Sequence, residues 1–386
     1  MSFLAYPRPD GSFGVRNYVG IIPTVACAGD VAHWISNQIR SSVAFLHQQG
    51  CCQTKSDLEL VTRTLISLGR NPNLASVLLV SLGCESISVD QVAEGISQSG
   101  KPVEKVVIQK IGGVNPALAE GSRLARQLVV EASALRRSKV EESELRIGIK
   151  CGASDTTSGL ASNPAIGGAV DLLIEKGGGA VFGETTESIG AEHILAQRAV
   201  SPEVGRRILE IVDRMEKRAM AMGTDMRGGQ PTKGNIAGGL TTIEEKSLGA
   251  IAKGGTKPIQ AVYEYGESPQ GKGLFIMDSP GREPEALTAL AAAGAQVILF
   301  STGLGAPQGF PFVPVIKITA NPITYQHLPD HIDLCIDITS GAGHSLRKAS
   351  QTIYEEVLKT ASGKKTMAET TGYFTATDIY TTGPVI

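Results

Sequence analysis

No run of about 18 apolar residues, the length that spans a bilayer, occurs in the 386 residues, so the sequence argues against a membrane-spanning helix. Charge of one sign is not in excess either, because 36 Lys and Arg residues face 38 Asp and Glu residues. Nucleic acids and acidic membrane surfaces bind a concentrated basic face, so we expect no nucleic acid and no membrane among the partners. The first residues lack the basic and apolar segments of a secretory signal, which predicts a cytoplasmic protein.

Disulfide frameworks and the common nucleotide-binding loops are also lacking. The six cysteines are few for a disulfide scaffold of this length, and they form no C-x-x-C pair. No G-x-G-x-x-G sequence follows the first predicted strand, which argues against a dinucleotide-binding Rossmann unit. The segment 266–272 fits G-x-x-x-x-G-K, but Gly273 replaces the Ser or Thr that would bind Mg²⁺. We interpret this segment as a surface loop.

Short apolar segments alternate with amphipathic ones along most of the chain. This alternation indicates βαβ units and a mostly parallel sheet with helices on both faces. In the first half, strands are predicted at 19–22, 43–46, 77–80, 105–108, 147–149 and 180–182, with helices at 28–40, 57–69, 88–98 and 115–138. In the second half, strands are predicted at 259–263, 274–278, 296–300 and 314–318, with helices at 241–250, 283–293 and 345–361.

A long polar helix predicted at 201–222 leads into the glycine-rich segment 223–239, which is typical of a functional loop or a domain junction. We therefore place a domain boundary near residue 225. The predicted fold class is α/β with two consecutive α/β domains. Residues 1–225 form the first, a doubly wound and mostly parallel sheet, and residues 226–386 form the second.

Four cysteines follow four different predicted strands: Cys27, Cys51, Cys84 and Cys151. Ligands bind at the carboxyl ends of the strands in an open parallel sheet, so this placement predicts four thiols at one edge. His47, Glu85, Ser154 and Asp155 lie close to them in the sequence. The alternative is that these cysteines are small apolar residues that pack well after a strand.

Thiolate, imidazole and carboxylate ligands together favour a transition metal over Mg²⁺ or Ca²⁺, which prefer oxygen ligands. We expect iron, either as Fe²⁺ or as an iron–sulfur cluster, with Mn²⁺ or Mg²⁺ as the alternative. Three cationic residues beside predicted loops, Arg16, Arg63 and Lys246, indicate a small anionic substrate. Thr241 and Glu244 have the spacing of a helix N-terminal capping box, which gives that acidic residue a structural explanation.

Strings spread over nearly the whole chain carry a resemblance to a known family. In the first half they are Gly14-Val15-Arg16-Asn17, Pro23-Thr24-Val25-x-Cys27, His47-x-x-Gly50-Cys51-x-Gln53, Gly83-Cys84-Glu85, and Cys151-Gly152-x-Ser154-Asp155. In the second half they include Gly234-Asn235-x-x-Gly238-Gly239, Thr241-Thr242 with Glu245-Lys246-Ser247, and Phe300-Ser301-Thr302-Gly303. The chain resembles the large catalytic portion of the altronate and galactarate dehydratase family, which includes the large subunit of sulfolactate sulfo-lyase.

This resemblance implies a lyase that removes water or sulfite from a hydroxy or sulfo acid, by taking a proton next to a carboxylate. Under that hypothesis Cys27, Cys51, Cys84 and Cys151 hold the metal, and Lys246 or His47 is the base. Glu85 or Glu245 then protonates the leaving group. Substrate-binding residues would be Arg16, Arg63, Asn235, Ser154 and Asp155, and the loop 228–239 would cover the substrate.

Three functions stay open at this point. The first is a hydro-lyase for a sugar acid such as altronate or galactarate, and the second is a sulfo-lyase that releases sulfite from sulfolactate. The third is a non-catalytic anion-binding subunit, which would bind no metal. Because full-length dehydratases of the family resemble this chain plus a small amino-terminal domain, we also expect a separately encoded small subunit. Whether the chain forms a homo-oligomer is left open.

Overall fold

The structure, a computed structural model, describes residues 2–337 and 345–386. Its strands are β1 (Ser2–Pro7), β2 (Phe13–Gly14), β3 (Tyr18–Pro23), β4 (Ser42–Ala44), β5 (Leu74–Ser81), β6 (Val103–Val107), β7 (Ser138–Glu141), β8 (Arg146–Cys151), β9 (Gly179–Phe182), β10 (Ile259–Tyr263), β11 (Gly273–Met277), β12 (Val297–Ser301), β13 (Val315–Thr319) and β14 (Leu334–Cys335). Its α-helices are α1 (Gly29–Gln38), α2 (Lys55–Arg70), α3 (Val89–Ser97), α4 (Val114–Ala132), α5 (Asn163–Glu175), α6 (Glu192–Gln197), α7 (Pro202–Ala221), α8 (Met226–Gly229), α9 (Lys233–Ala237), α10 (Ile243–Ile251), α11 (Glu283–Ala292), α12 (Pro322–His327), α13 (Leu346–Ala361) and α14 (Met367–Thr371).

A four-stranded sheet in the order β4-β3-β5-β6 forms the first half of the fold, and all of its strands run parallel. Strand β5 is buried along its whole length, as expected for a central strand covered on both faces. Apolar residues of α1 and α4 pack on one face of this sheet, and those of α2 and α3 pack on the other.

A seven-stranded sheet in the order β10-β11-β9-β8-β12-β13-β14 forms the second half, again with parallel neighbours throughout. Helices α5 and α13 pack on one face and α11 on the other. One apolar cluster contains Leu65 of α2 together with Leu290 of α11, so the two sheets share a core between them.

Residues 372–386 follow α14 and contact the loops at the carboxyl ends of both sheets. Gln308, in the loop between β12 and β13, donates a 2.8 Å hydrogen bond to the carbonyl of Ala376. Thr377 in turn donates a 2.5 Å bond to the carbonyl of Leu46, which follows β4. This segment therefore connects the carboxyl edges of the two sheets.

The predicted α/β class with mostly parallel sheets is confirmed, and every predicted strand overlaps an observed one. The strands at 147–149 and 180–182, however, belong to the seven-stranded sheet, so the division between the sheets falls before residue 146 and does not coincide with the predicted boundary near residue 225. The helix predicted at 115–138 ends earlier, at Ala132. The chain then forms β7 from Ser138, and β7 pairs with β1 in an antiparallel manner. That antiparallel pairing was not predicted.

Candidate functional site

A cavity of about 510 Å³ opens at the carboxyl edge of the seven-stranded sheet. Segments that follow β8, β9 and β11 line it through Gly152, Glu187 and Gly281, respectively. Parallel strands bring their carboxyl ends to one edge, which explains why residues distant in sequence meet here. The segment 223–239, predicted as a functional loop, contains the short helices α8 and α9 and contributes Gln230 and Asn235 to the lining.

Lys246 of α10 projects into this cavity with only 12% of its side chain exposed. Its ammonium donates a 2.9 Å hydrogen bond to Gln230 Oε1 and lies 3.3 Å from Glu187 Oε1. Helix α10 begins at Ile243, after Thr242 accepts a hydrogen bond from the Glu245 backbone N–H. Lys246 also borders a second cavity, of about 310 Å³, together with Ser154 and Asp155.

Beneath Lys246, buried charged residues and one thiol form a continuous network. The thiol of Cys151 donates a 2.8 Å hydrogen bond to Glu187 Oε2. Lys253 donates to the sulfur of Cys151 over 2.9 Å and also contacts Glu184. Lys150, at the end of β8, lies 2.7 Å from Glu184 Oε1. Every charge in this network therefore has an opposite charge next to it, as buried charges require.

The electrostatics of the network keep its carboxylate ionised and its thiol protonated. Burial opposes ionisation of Glu187, but Lys246 and Lys253 outweigh it and lower the pKa of this carboxyl to about 2. Burial raises the pKa of the Cys151 thiol well above its ordinary value, with the Glu187 carboxylate adding to the effect. Burial also opposes the charge on Lys253, yet its contacts with Cys151, Glu184 and Glu187 raise the pKa of this ammonium well above the usual range.

Two residues beside the cavity have left-handed backbone conformations that are uncommon for residues other than glycine. They are Ala153, with φ of 48°, and Glu184, with φ of 65°. The backbone N–H of Glu184 donates a 2.9 Å bond to Ser279 Oγ, which helps to hold this conformation. Strained backbone persists where the surrounding contacts determine it, and it is concentrated at functional sites.

Cys151, Glu184 and Glu187 also form a set of possible metal ligands, since their ligand atoms all lie within 4.8 Å of one another. All three residues are buried. Within residues 2–337 and 345–386, no other group of three or more His, Cys, Asp or Glu residues has its ligand atoms this close together. The three other cysteines predicted to bind the metal do not belong to this group.

The expectation that four thiols share one sheet edge is wrong for Cys151. Cys27, Cys51 and Cys84 follow β3, β4 and β5 of the four-stranded sheet, whereas Cys151 ends β8 of the seven-stranded sheet. The sequence shows that a cysteine follows a strand but not to which sheet that strand belongs. Cys151 is also buried, whereas Cys27 and Cys84 are exposed.

The three remaining thiol loops lie side by side. The backbone N–H of Ala26 donates to the carbonyl of Gln49 over 3.0 Å, and that of Ser86 donates to the carbonyl of Gly50 over 3.2 Å. Gly50 has φ of 115°, and a Cβ there would lie 2.4 Å from the carbonyl oxygen of Thr24, so only glycine fits this approach. The sulfurs of Cys51 and Cys52 are 3.6 Å apart.

His47, predicted as a base or metal ligand, is buried with both ring nitrogens bonded. Nε2 lies 2.8 Å from the carbonyl of Pro23, and Nδ1 accepts a 3.1 Å hydrogen bond from the Gln49 backbone N–H. Burial lowers the pKa of this imidazole, so the ring is neutral at pH 7. His47 therefore supports the thiol loops and is not among the residues that line the Lys246 cavity.

The two acidic residues predicted to protonate a leaving group are both fixed by hydrogen bonds. Burial raises the pKa of Glu85, but donors on Ser81, Thr24 and the Gly83 backbone lower it below the ordinary value overall. Thr241 donates to Glu245 through its hydroxyl and its backbone N–H, and this lowers the pKa of that carboxyl. The capping interaction thus involves Glu245 rather than Glu244, one residue later than predicted.

Neither arginine predicted to bind substrate lies at the cavity. The Arg16 guanidinium is 4% exposed and pairs with Glu369, at 2.7 Å, while its remaining N–H groups donate to backbone carbonyls. Arg63, on α2, donates to the carbonyl of Tyr265 and lines a separate groove of about 650 Å³ between α2 and α3.

Three other predicted substrate-binding residues do surround the cavities. Asn235 lines the larger cavity and donates a 2.9 Å bond to the Ser154 carbonyl. Asp155 accepts hydrogen bonds from the Ser158 backbone N–H and from Asn321, which fixes the loop after β8. These contacts make Asp155 a structural anchor of the loop that carries Ser154.

Sequence analysis missed Lys150, Glu184, Glu187 and Lys253. A signal was present for the two acidic residues, because Glu184-Thr-Thr-Glu187 directly follows the apolar strand predicted at 180–182. Lys150 and Lys253 carried a weaker signal, since Lys150 lies near the end of β8 and Lys253 follows α10.

Two family models match the two halves of this chain. The family model described as D-galactarate/Altronate dehydratase, C-terminal, matches residues 142–384, and the one described as D-galactarate dehydratase/Altronate hydrolase, second domain, matches residues 5–133. The chain belongs to the galactarate and altronate dehydratase family. The two matched segments meet between residues 133 and 142, close to the division between the sheets.

This chain is similar to three named members of the family, over different shares of their lengths. It is 41% identical to the (2R)-sulfolactate sulfo-lyase subunit beta of Chromohalobacter salexigens, over 98% of both chains. It is 35% identical to the altronate dehydratase of Bacillus subtilis over 86% of this chain and 68% of that one. It is 30% identical to the galactarate dehydratase (L-threo-forming) of Escherichia coli, over 100% of this chain and 77% of that one. These relatives are named as lyases.

Among the described residues, no helix combines the length and the apolar character needed to cross a membrane.

Proposed function

We propose that this chain is the large subunit of a lyase that eliminates a leaving group from a small hydroxy or sulfo acid, with Lys246 as the base. The observation that carries the proposal is the position of Lys246, whose Nζ borders the strand-end cavity and is held by Glu187 and Gln230. His47, the alternative base, has both ring nitrogens bonded within the protein.

The charges around the cavity suit this chemistry. Lys150 and Lys253 are paired with Glu184 and Glu187 in the buried network. Lys246 and Arg282 line the cavity and are the cations available to bind an anionic substrate. Once Lys246 has taken the proton next to the carboxylate, its ammonium stabilises the enolate that forms. Helices α8 and α9 cover one side of the cavity and limit the access of water.

We propose (2R)-sulfolactate as the first candidate substrate, because the match to a sulfo-lyase subunit extends over 98% of both chains. In this reaction the base takes the proton from the carbon next to the carboxylate. The electron pair of that C–H bond forms the new double bond, and the C–S electrons leave with sulfite. The resulting enol takes up a proton on carbon and becomes pyruvate.

Elimination of water from altronate or galactarate is the second candidate. It begins with the same proton abstraction. The protonated Lys246 can return its proton to the hydroxyl group on the next carbon, which leaves as water, and the enol becomes a 2-keto-3-deoxy acid. Two dehydratases at 35% and 30% identity support it.

Iron is proposed at the thiol loops, with Cys27, Cys51 and Cys84 as ligands. These thiols lie on three adjacent hydrogen-bonded loops, but their sulfurs do not converge within 4.8 Å as ligands of a single ion would. An iron–sulfur cluster spreads its cysteine ligands over several iron atoms, so this spacing favours a cluster over Fe²⁺. Bound there, iron would supply Lewis-acid stabilisation of a substrate oxygen.

A separate small subunit is proposed as the protein partner. The relative that this chain matches over its full length is named as a beta subunit, which implies another subunit in that enzyme. The two dehydratases extend beyond this chain, because the match covers 68% and 77% of their lengths.

The test compares Lys246→Gln with Lys217→Gln, an exposed lysine on α7 outside the cavity lining. Protein isolated from the cells that make it, so that a bound small subunit is retained, is incubated with sulfolactate, altronate or galactarate. Sulfite release identifies a sulfo-lyase, and keto-acid formation without sulfite identifies a dehydratase. We expect Lys246→Gln to lower turnover by about 10²-fold or more and to abolish deuterium exchange of the substrate proton in D₂O, with Lys217→Gln unaffected. Near wild-type turnover in Lys246→Gln would overturn the assignment.

A further inference from the structure

The triad of Cys151, Glu184 and Glu187 already contains a cation supplied by the protein. Nζ of Lys253 donates a 2.9 Å hydrogen bond to Cys151 Sγ, contacts Glu184 Oε2, and lies 3.4 Å from Glu187 Oε2. These are the three ligand groups that meet the distance requirement for a metal site. An ammonium has three N–H donors, and here each of them has one member of the triad as its partner.

The outer atoms of the triad are also occupied. Glu184 Oε1 pairs with Lys150 at 2.7 Å, and Glu184 Oε2 accepts the Cys151 backbone N–H at 3.0 Å. Glu187 Oε1 faces Lys246 at 3.3 Å. A divalent ion at the centre of the triad would therefore have to expel the ammonium of Lys253, whose side chain is 2% exposed. Displaced from these three partners, that ammonium would be a buried charge without compensation, which is strongly unfavourable.

We propose that the ammonium of Lys253 is the resident cation of the Cys151–Glu184–Glu187 triad, so that the triad binds no metal in the native protein and becomes a metal site once Lys253 is removed. The inference does not depend on the substrate or the leaving group. It separates Cys151 from the three thiols proposed to bind iron.

The charge balance explains why removal of Lys253 creates a site. In the native network three lysines, two carboxylates and a neutral thiol give a net charge of +1. If a divalent ion replaces the ammonium and the thiol loses its proton on binding, two lysines, the ion, two carboxylates and a thiolate again give +1. The exchange thus leaves the buried charge unchanged, and the sulfur and two oxygens suit a transition metal.

The experiment is a Co²⁺ titration of the full chain, followed by the thiolate-to-cobalt charge-transfer absorption. Cys27, Cys51, Cys52 and Cys84 are free thiols that can also take up cobalt, so the readout is the difference between each protein and its Cys151→Ser counterpart. We expect no Cys151-dependent band when Lys253 is present. In Lys253→Ala we expect one additional Co²⁺ per chain and a band that Cys151→Ser abolishes.

Lys101→Ala is the matched control, because Lys101 is another buried lysine whose ammonium bonds only backbone carbonyls among the described residues. It should show no Cys151-dependent band, which excludes general loosening as the cause of a gain. A Cys151-dependent band in the protein with Lys253 intact overturns the proposal. So does a folded Lys253→Ala, checked by circular dichroism, that gains no such band. If Lys253→Ala does not fold, Lys253→Leu, whose shorter apolar side chain leaves the centre of the triad vacant, is scored by the same two criteria.

Discussion

Glu187 connects Lys246 at the cavity to the buried network beneath it, with one oxygen 3.3 Å from the lysine Nζ and the other accepting the Cys151 thiol. A single carboxylate thereby positions the proposed base and also contacts the second lysine, Lys253. Glu187 is a positioning residue in this arrangement, since its carboxylate oxygens are bonded to Lys246 and to the Cys151 thiol.

Glu187→Gln tests that connection through the pH dependence of stability. The pKa of Glu187 falls from 4.5 to about 2 on folding, so its contribution is complete above pH 4.5 and is lost as the pH falls toward 2. We expect the variant to lose about 3 kcal/mol in the free energy of unfolding at pH 7, and the difference from wild type to shrink by about 1 kcal/mol at pH 3.5. Urea unfolding at the two pH values measures this, and a pH-independent difference would contradict the pairing.

Lys317, a buried lysine on β13, predicts a second pH dependence. It comes from the burial of a charge, whereas that of Glu187 comes from the pairing of one. Burial is the main cause that lowers the pKa of this lysine from 10.5 to about 7, so between these values the folded protein binds fewer protons than the unfolded chain. Stability from this group therefore rises with pH across that range. Relative to Lys317→Met, the wild-type free energy of unfolding should increase by about 3 kcal/mol from pH 7 to pH 9.5 in urea titrations. No relative change would show that Lys317 keeps its proton.

Arg16→Lys separates a structural role from the predicted substrate-binding role. Lysine cannot reproduce the two-pronged contact with Glu369 or the bonds to the surrounding carbonyls. We expect a loss of about 2 kcal/mol or more in the free energy of unfolding, with KM for the substrate unchanged. A raised KM at full stability would instead support substrate binding by Arg16.

The proposed iron ligands are tested by metal analysis of protein purified without oxygen. Cys51→Ser and Cys84→Ser should each lose most of the iron and the acid-labile sulfide, since both thiols are proposed as ligands. Cys335→Ser, on β14, is the control and should keep both, and Cys151→Ser should keep both as well. If Cys51→Ser and Cys84→Ser both retain iron, these two thiols are not iron ligands and only pack against their neighbours.

Periodicity in the sequence predicted the strands closely, because fully buried parallel strands are short apolar runs whose limits turn residues mark. It did not predict their distribution between sheets, since residues 147–149 look the same whether they pair with β5 or with β12. The same limit explains the error over Cys151. At the site, Lys246 and Asn235 were predicted from recognisable strings and both line the cavity, whereas the pairing of Lys253 with Glu184 depends on tertiary contacts that no local pattern records.

In the seven-stranded sheet, β8 and β12 are central neighbours, and Cys151 is paired directly with Ser301, although residues 152–296 lie between these two strands. Strands β8 and β12 therefore cannot pair until most of the chain is available. Contacts between residues so distant in sequence make folding slow, because the entropy of closing a long loop must be lost before the contact is gained. A fragment that stopped near residue 225 would have β8 and β9 but none of the other five strands of that sheet, and would present β8 as an exposed, apolar edge prone to aggregation.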